Sequence, residues 1–338
     1  MSLGRYTAFR DLIPAAYRRA YKHAYWSVGR WLPPAGRPHM VSLELTNACN
    51  MACPHCHRTN MQRDEGFMRE EVFRKLVDEV RQYPYCWIKI VGLGEPGMHP
   101  QVDLFLDYLQ GTRIKVDFTT NGTLLERFSP ERICAWPIDV LGISIDGFDA
   151  DSYRRLRPGG DYDNLRKLVM ALSKYKRALG LQRPIVRVRH VIMPGSKPEE
   201  LEAYRLDWTP LCDQVTFNTF EARRVSKIPS HPNRCPDQLF FEANVRWDGR
   251  VPLCAHQFLV AEQEWLGDLE RSSLQEIWAS PRLEEVRTAH RQRQFDRVEF
   301  CKSCFYAQNC VRARSNRRRH NITKDFVVNA VNRLVNII

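Results

Sequence analysis

Short apolar runs alternate with longer amphipathic segments through the middle of the chain, from Val41 to about Glu221. The runs are rich in Val, Ile and Phe and are bounded by Gly, Pro, Asn or Asp, which is typical of strands. Between them, segments such as Arg69–Gln82 and Tyr162–Leu179 repeat apolar residues at helical spacing. The predicted strands are Val41–Leu45, Trp87–Val91, Lys115–Thr119, Val140–Ile145, Ile185–Ile192 and Val215–Phe220. Such alternation implies parallel strands with right-handed crossovers, and six units predict an α/β fold built as a partial (β/α)6 TIM-like barrel.

In such a barrel the chemistry belongs at the C-terminal ends of the strands. Cys49, Cys53 and Cys56 directly follow the first predicted strand with the spacing C-x3-C-x2-C. Three thiolates on one loop can hold a metal centre but leave one position open. Structural zinc normally has four ligands, and an iron–sulfur cluster takes four thiolates. The spacing therefore indicates a reaction centre, and zinc completed by His55 or His57 is the alternative.

This motif resembles the signature of the radical S-adenosylmethionine (SAM) enzymes. The resemblance implies that Cys49, Cys53 and Cys56 hold a [4Fe–4S] cluster whose open iron chelates the amino and carboxylate groups of SAM. In that family the reduced cluster cleaves SAM to methionine and a 5′-deoxyadenosyl radical, which abstracts a hydrogen atom from the substrate. One departure is His55, which stands where the family usually has an aromatic residue. A planar histidine can also pack against an adenine.

Two segments at later strand ends extend the resemblance. Gly94 and Glu95 lie in Gly-Leu-Gly-Glu-Pro, after the second predicted strand. This segment is similar to the Gly-Gly-Glu motif of the family, which implies contacts to the SAM amino group. Asn121 lies in a Thr-Asn-Gly turn that follows the third strand. The family often has a Thr-Asn-Gly turn at the same place.

Two further positions are carried over from the family. Ser144, at the end of the fourth strand, would hydrogen-bond the SAM ribose. Arg157, in Arg-Pro-Gly-Gly, would meet the SAM carboxylate, although Arg155 is close enough to compete for this role. Each segment alone is more often just a turn. Their order along residues 42–221 is what supports the resemblance.

A second cysteine set begins at Cys235 and includes Cys254, Cys301, Cys304 and Cys310. The stretch from Cys235 to Cys254 is typical of a β-hairpin with Asp-Gly at its turn. The whole passage resembles the SPASM/Twitch extension of radical SAM enzymes, which binds auxiliary iron–sulfur clusters. A full SPASM module carries two such clusters, but no cysteine follows Cys310 in this chain. Five cysteines cannot saturate two clusters of four ligands each.

We therefore expect one auxiliary [4Fe–4S] cluster, and its predicted ligands are Cys235, Cys254, Cys301 and Cys304. Cys310 is then a spare thiol, an alternative ligand or, as in some family members, a hydrogen-atom donor. A structural four-cysteine zinc ribbon is the alternative for this set. The isolated Cys86, Cys134 and Cys212 are expected to be core thiols.

Length and composition allow one large domain and a smaller one, since the chain has 338 residues of which 43% are hydrophobic. We predict a basic amphipathic extension at 1–40, the radical SAM barrel at 41–224, the auxiliary cluster domain at 225–312 and a basic tail with an amphipathic helix at 313–338. The chain has no secretory signal and no apolar run of about 18 residues. Cysteine spacing typical of metal sites favours a cytoplasmic location.

The net charge of +12 favours anionic partners, although much of the excess lies in the two termini. For the two terminal helices we favour packing on the barrel. The alternative is peripheral contact with an anionic membrane, which would suit a lipid-linked substrate. Nucleic acid ranks last as a partner, because no recognisable RNA-binding module accompanies the arginine run near the C-terminus.

As a function, the resemblance implies a radical SAM oxidoreductase or epimerase that acts on a small polar substrate, sugar-, aminocyclitol- or nucleotide-linked. An external donor such as flavodoxin or ferredoxin would supply the electron. An auxiliary cluster that accepts the substrate electron would give dehydrogenation, whereas a thiol that returns hydrogen would give epimerisation. By position, the candidate substrate contacts are Arg189, His190, Asn218 and Glu221, although buried charged residues more often pair with one another.

Two other functions stay open. Many SPASM proteins modify peptides or proteins, as in the maturation of ribosomally made peptides (RiPPs) or sulfatase-type residue oxidation. About 40 residues precede the first strand, too few for an independent leader-binding domain, which favours a small molecule. A non-catalytic metal-binding scaffold is the third function, and the SAM-contact residues in matching order argue against it.

Overall fold

The central element of the fold is a parallel sheet of seven strands. The computed structural model describes residues 36–84, 86–219, 239–259, 265–292 and 294–302. The sheet has the order β6-β5-β4-β3-β2-β1-β7, and every adjacent pair is parallel. Its strands are β1 (Met40–Leu43), β2 (Trp87–Ile90), β3 (Lys115–Thr120), β4 (Val140–Ser144), β5 (Ile185–Ile192), β6 (Gln214–Thr219) and β7 (Glu242–Val245). All six predicted strands are present within two residues of their expected bounds.

Helices fill the connections from β1 through β6. They are α1 (Glu70–Val80), α2 (Val102–Tyr108), α3 (Pro130–Ala135), α4 (Ala150–Leu156), α5 (Tyr162–Leu179) and α6 (Pro198–Trp208). The prediction for α5 is confirmed at both ends. Asp161 begins the helix by accepting a hydrogen bond from the Asn164 amide, and Gly180 ends it in the left-handed region. The fold is thus the α/β, partial TIM-like barrel that the sequence predicts.

The prediction of six strands misses β7, which pairs in parallel with β1. This strand comes from the stretch predicted as a hairpin. The expected turn is present, since the Gly249 amide donates to the Arg246 carbonyl (3.0 Å). The second arm, however, is β8 (Arg250–Val251), which pairs antiparallel with β9 (Gly267–Asp268). The two arms of the hairpin therefore belong to different sheets.

The two faces of the large sheet differ in chemistry, because successive residues of a strand point to opposite sides. One face is apolar and forms a single core with the helices, as Leu43, Ile90, Phe118, Ile143 and Val188 do. The opposite face, here named the polar face, carries Ser42, Lys89, Asp117, Gly142, Ser144, Arg187, Arg189, Thr216, Asn218 and Asn244. A closed TIM barrel fills this side with branched apolar residues. In this chain it is instead available for polar chemistry.

Between β9 and residue 302 the structure describes the helices α7 (Leu274–Trp278), α8 (Pro281–Gln292) and α9 (Glu299–Lys302). A carboxylate of α1 attaches α7 to the barrel. Glu79 accepts hydrogen bonds from the backbone amides of Leu274 and Gln275, both at 2.7 Å. A negative charge at the start of a helix is stabilising, so this contact favours the docked position.

Several sequence predictions concern parts of the chain that the structure does not describe. The basic extension lies outside the described residues, apart from its last five positions (36–40), and the tail at 313–338 lies wholly outside them. The domain boundaries stay predictions. None of the helices in the described ranges is long and apolar enough to cross a membrane. Of the isolated cysteines, Cys86 and Cys212 are confirmed as buried, and Cys134 is half-buried against the core.

Candidate active site

The cysteine loop (residues 44–56) leaves β1 at the C-terminal edge of the sheet. Its three cysteines are free thiols, of which Cys53 is buried and the others are half-buried. The Cys56 amide donates to the Cys53 carbonyl (3.0 Å), and the Cys56 sulfur begins a short 3-10 helix by accepting from the Arg58 amide (3.4 Å). Burial raises the pKa of Cys49, and it raises that of Cys53 to about 11 although the Arg157 guanidinium opposes it. A bound metal would lower the pKa of these thiols and leave the sulfurs as thiolates.

The donor set of the loop fits a [4Fe–4S] cluster with one open iron. The three thiols are close enough to perturb one another electrostatically. His55, one of the two side chains that zinc would recruit, has its Nε2 3.1 Å from a carboxylate oxygen of Asp146. Within the described ranges, no group of three or more His, Cys, Asp or Glu side chains is arranged to hold a single metal ion. Three thiols without a fourth protein ligand are the set that leaves a cluster iron open.

Gly94 and Glu95 lie directly against the cysteine loop. The Glu95 amide donates to the Ala48 carbonyl (2.8 Å). Any side chain at Gly94 would begin 2.4 Å from the Thr46 carbonyl oxygen, so only glycine allows this approach. The segment after β2 therefore packs directly beneath the loop.

The Glu95 carboxylate joins two segments, those that follow β2 and β3. It accepts hydrogen bonds from the Thr120 hydroxyl (2.5 Å) and from the amides of Asn121 (2.6 Å) and Gly97 (3.0 Å). Burial raises the pKa of Glu95, and these three hydrogen bonds oppose that shift. In the structure Glu95 thus positions the ends of β2 and β3. Its contact to the SAM amino group stays a prediction.

Asn121 connects the end of β3 to the cysteine loop. Its side-chain amide donates to the Asn50 side chain (2.8 Å), and its oxygen accepts from the Thr123 amide (3.0 Å). Asn50 in turn donates to the Thr123 hydroxyl (2.8 Å). Because Asn50 lies between Cys49 and Cys53, this network fixes the backbone between two of the predicted cluster ligands.

Asp146 is the charged centre of the site, and sequence reasoning missed it. It is fully buried, and one oxygen lies 2.6 Å from Arg157 Nη2 and 3.1 Å from His55 Nε2. The other oxygen accepts from the Val191 amide (2.6 Å). Burial alone would raise the pKa of Asp146. Arg157, His55 and the amide outweigh burial and lower the pKa to about 2. The sequence feature that could have identified Asp146 is its position in Ser-Ile-Asp-Gly, two residues after Ser144.

The structure distinguishes the two arginines that competed for one role. Arg157 is held by Asp146 and acts electrostatically on Cys53, whereas Arg155 is exposed. Ser144 is half-buried at the end of β4, next to Arg189 of β5 in the sheet register. Both predicted SAM contacts, Ser144 and Arg157, therefore lie at the same edge as the cysteines.

A second buried ion pair, Glu44–Arg63, was also missed. Arg63 Nη2 donates to both oxygens of Glu44 (2.6 and 2.7 Å), and its Nε donates to the Phe258 carbonyl (2.5 Å). Glu44 also accepts from the Leu93 amide (3.2 Å). The pair joins the end of β1 to the segment after Cys254. Its signal is a carboxylate inside the apolar run Leu-Glu-Leu that precedes the cysteines.

Of the second cysteine set, the structure describes Cys254 and Cys301, which are both buried. Cys235, Cys304 and Cys310 lie outside the described residues. The 3-10 helix Ala255–Leu259, which follows Cys254, contacts the 3-10 helix His57–Asn60, which follows Cys56. The Cys301 sulfur lies 3.4 Å from Nε2 of His290, whose pKa burial lowers to about 4.

The four candidate substrate contacts do not share one surface. Arg189 and Asn218 belong to the polar face, since they alternate with apolar residues that enter the core. His190 is wrong as a candidate, because it points to the opposite side, where its ring packs on Tyr204 at 4.5 Å. Glu221 lies outside the described residues.

Two family models match the chain. The radical SAM superfamily model matches residues 43–206, from β1 into α6. The SPASM model, an iron–sulfur cluster-binding domain, matches residues 235–305. The second match includes all four predicted auxiliary ligands, whereas Cys310 lies beyond it.

Curated relatives share parts of this sequence. A tungsten-containing aldehyde ferredoxin oxidoreductase cofactor-modifying protein of Pyrococcus furiosus is 23% identical over 295 residues, which are 71% of this chain and 80% of that protein. The mycofactocin maturase MftC of Mycobacterium tuberculosis is 33% identical over 129 residues, 37% of this chain. This second match spans only 32% of the maturase.

Solved structures share the fold. SuiB of Streptococcus suis, bound to the precursor peptide SuiA, matches with a TM-score of 0.60 and 13% identity, over 85% of this chain and 75% of SuiB. BtrN, in complex with AdoMet and 2-DOIA, matches with a TM-score of 0.52 and 15% identity, over 79% of this chain and 92% of BtrN. At such identities the likeness shows the fold alone.

The two domain matches agree with the cysteine sets and with the barrel. They imply a SAM-binding [4Fe–4S] cluster, auxiliary iron–sulfur binding and SAM as the cofactors. The chain belongs to the radical SAM superfamily and carries a SPASM iron–sulfur cluster-binding domain after its radical SAM domain.

Proposed function

We propose that this radical SAM enzyme removes a hydrogen atom from a small polar substrate, sugar-, aminocyclitol- or nucleotide-linked, and that the net reaction is a dehydrogenation or an epimerisation. The observation that carries the substrate class is the polar face of the sheet. Ser144, the predicted ribose contact, lies beside Arg189 in the register of β4 and β5. The polar face therefore begins next to the predicted SAM contacts.

The charges of the polar face support a substrate with acceptor groups. Asp117 on β3 faces two guanidiniums, since Arg189 Nη2 lies 3.1 Å from both carboxylate oxygens and Arg187 Nη1 lies 3.6 Å away. Arg189 reaches across β4 because Gly142 has no side chain, and a Cβ there would lie 2.6 Å from Arg189 Nε. Lys89, beside Asp117 in the register, makes no ion pair within the described part of the chain.

Lys89 and Arg189 thus outnumber the single carboxylate between them. Surplus positive charge on this face favours an anionic or hydroxyl-rich ligand, because charge-assisted hydrogen bonds are the strong ones. An apolar substrate would bury the Lys89 ammonium without a counter-charge, which is costly. We therefore favour a phosphate, a carboxylate or a polyhydroxylated ring in the substrate.

The chain's own residues would bind and orient the reactants. Cluster and SAM, when bound, supply the 5′-deoxyadenosyl radical that removes the substrate hydrogen. The residues for which we propose these contacts are Cys49, Cys53 and Cys56 for the cluster and Gly94, Glu95, Asn121, Ser144 and Arg157 for SAM. Asp146 holds Arg157 and His55 on the same carboxylate oxygen, so it would orient both toward the cofactor.

The second cysteine set bears on the fate of the substrate radical. Its proposed ligands for one auxiliary [4Fe–4S] cluster are Cys235, Cys254, Cys301 and Cys304. Contact between the segments that follow Cys56 and Cys254 supports a short distance between the two sites. A nearby cluster would supply an electron acceptor, which favours dehydrogenation. Cys310 as a hydrogen-atom donor would give epimerisation instead. Flavodoxin or ferredoxin remains our proposal for the external donor.

Peptide or protein modification is the second candidate function. It is favoured by the fold shared with SuiB, whose structure holds a precursor peptide, and by the partial match to a maturase. A peptide would also present acceptor groups to Lys89 and Arg189. The two candidates differ in the size of the molecule that reacts.

The test separates them by size fraction. Full-length protein, loaded anaerobically with iron and sulfide, is given SAM and dithionite with either the small-molecule or the peptide fraction of an extract, and 5′-deoxyadenosine is measured. We expect stimulation by the small-molecule fraction and loss of this stimulation in Lys89→Met. The control is Lys115→Met. This lysine is the first residue of β3 and pairs with Asp139. Stimulation by peptides alone would favour the second candidate.

A further inference from the structure

The His290 side chain lies against the sulfur of Cys301. His290 is buried, with 5% of its surface exposed, and its Nε2 lies 3.4 Å from Cys301 Sγ. The other ring nitrogen, Nδ1, has no hydrogen-bond partner in the ranges that the structure describes. The edge of the ring that faces Cys301 is therefore the one that can form a hydrogen bond.

The surroundings fix the ring in this position. His290 is in the last turn of α8, and the same helix is anchored by Arg287, which donates to the carbonyls of Leu239 (2.8 Å) and Trp278 (3.0 Å). Phe295 packs edge-on against the imidazole, with ring centroids 4.9 Å apart. Rotation of the ring away from the sulfur would break this packing.

A nitrogen at this distance from a metal-bound thiolate acts as a donor. Sulfur ligated to iron offers lone pairs only, so the hydrogen must come from Nε2, which carries one in the neutral Nε2–H tautomer and in the charged ring alike. Hydrogen bonds to the sulfurs of a cluster stabilise the more negative, reduced state and so raise its reduction potential.

We propose that His290 donates an Nε2–H···Sγ hydrogen bond to Cys301 and thereby raises the reduction potential of the auxiliary cluster that Cys301 helps to hold. This rests on the proposed role of Cys301 as a cluster ligand. His290 is a positioning residue for the cluster, and its effect is to make the cluster a better acceptor for an electron.

The test is a redox titration followed by electron paramagnetic resonance. It uses the full chain with Cys49, Cys53 and Cys56 changed to Ala, so that only the auxiliary cluster contributes. We expect His290→Phe to shift the midpoint potential to more negative values, with iron per chain unchanged. His290→Gln, which restores a donor, should recover part of the shift. Phe295→Leu keeps the donor but removes part of the packing that holds the ring, so it should give a smaller shift in the same direction than His290→Phe.

Three results would overturn the proposal. An unchanged potential in His290→Phe would mean that no such bond exists. Loss of iron in that variant would mean that His290 is a ligand. Retention of the auxiliary cluster in Cys301→Ala would show that Cys301 is not a ligand. In that case the proposed ligand set fails, and the hydrogen bond has no cluster to act on.

A measurement on the protein with unsubstituted His290 tests the hydrogen bond even where a variant does not fold. Pulsed electron–nuclear spectroscopy on chain labelled with 15N-histidine should show a weak nitrogen coupling that changes with the label. Absence of this coupling would contradict a hydrogen bond. A strong coupling would indicate direct ligation and contradict it equally.

Discussion

The two cysteine sets lie in different surroundings, although both are predicted to bind clusters. The first lies on a loop held by buried polar groups from several strand ends, among them the carboxyl groups of Glu95 and Asp146. Cys301 of the second set belongs instead to the apolar core, where it is surrounded by hydrophobic side chains. A site that must bind charged SAM requires fixed charges. A site that only accepts electrons, as we propose for the second set, can lie among apolar residues, where one donor such as His290 would tune it.

The largest expected effect comes from removing the first set alone. Cys49→Ala/Cys53→Ala/Cys56→Ala should lose about half of an expected eight irons per chain and all formation of 5′-deoxyadenosine. Iron, sulfide and 5′-deoxyadenosine are measured after anaerobic reconstitution. Residual SAM cleavage in this variant would show that the first set is not the reaction centre.

Gly94→Ala should lower SAM cleavage at least about tenfold while most of the fold is retained. Its Cβ would lie 2.4 Å from the Thr46 carbonyl oxygen and 2.5 Å from that of Ala48, so the cysteine loop must shift. A shift of about 1 Å near the reacting groups can cost two orders of magnitude in rate. Gly36→Ala is the matched control, because nothing lies within 4 Å of a Cβ there. Equal rates in both variants would contradict tight packing beneath the loop.

Asp146→Asn tests the charges that distinguish the first site. The variant keeps the shape of the side chain but leaves buried Arg157 without a counter-charge, so we expect a loss of about 3–5 kcal/mol in the free energy of unfolding. Thermal unfolding measures this loss. Asp296→Asn, at an exposed carboxylate, is the control and should change little.

The same residue predicts a pH dependence. The pKa of Asp146 falls from an ordinary 3.8 to about 2 in the fold, which corresponds to about 2 kcal/mol of stability. Because the folded pKa is the lower one, this stability is present above about pH 4 and is lost as the pH falls toward 2. The difference between wild type and Asp146→Asn should therefore narrow in that window. A constant difference would mean that the carboxylate contributes no charge.

Sequence periodicity and motif order predicted six strands, the cysteine loop and the segments around it. They did not predict β7, because its pairing depends on the open edge of β1 and not on anything within Glu242–Val245. The polar face was also missed. Its alternation is visible in Arg187-Val-Arg189, but only the register shows that these side chains meet Asp117.

The contact of His55 with Asp146 was missed for a similar reason. Both residues lie in segments that were singled out, yet nothing local in the sequence relates a loop after β1 to the end of β4. Parallel strands bring such ends together, and this makes the C-terminal edge predictable as a region. The individual pairs within it depend on side-chain directions that the pattern does not contain.

The smallest effect tests how the second region is attached. Glu79→Gln removes the charge that accepts from the Leu274 and Gln275 amides, so we expect about 1 kcal/mol of destabilisation. Glu71→Gln, at an exposed position of the same helix α1, is the control. Thermal unfolding should separate the two variants, while SAM cleavage in both stays at the wild-type rate. If Glu79→Gln abolished SAM cleavage instead, the auxiliary region would be coupled to the cysteine loop, and the contrast between the two sites would fail.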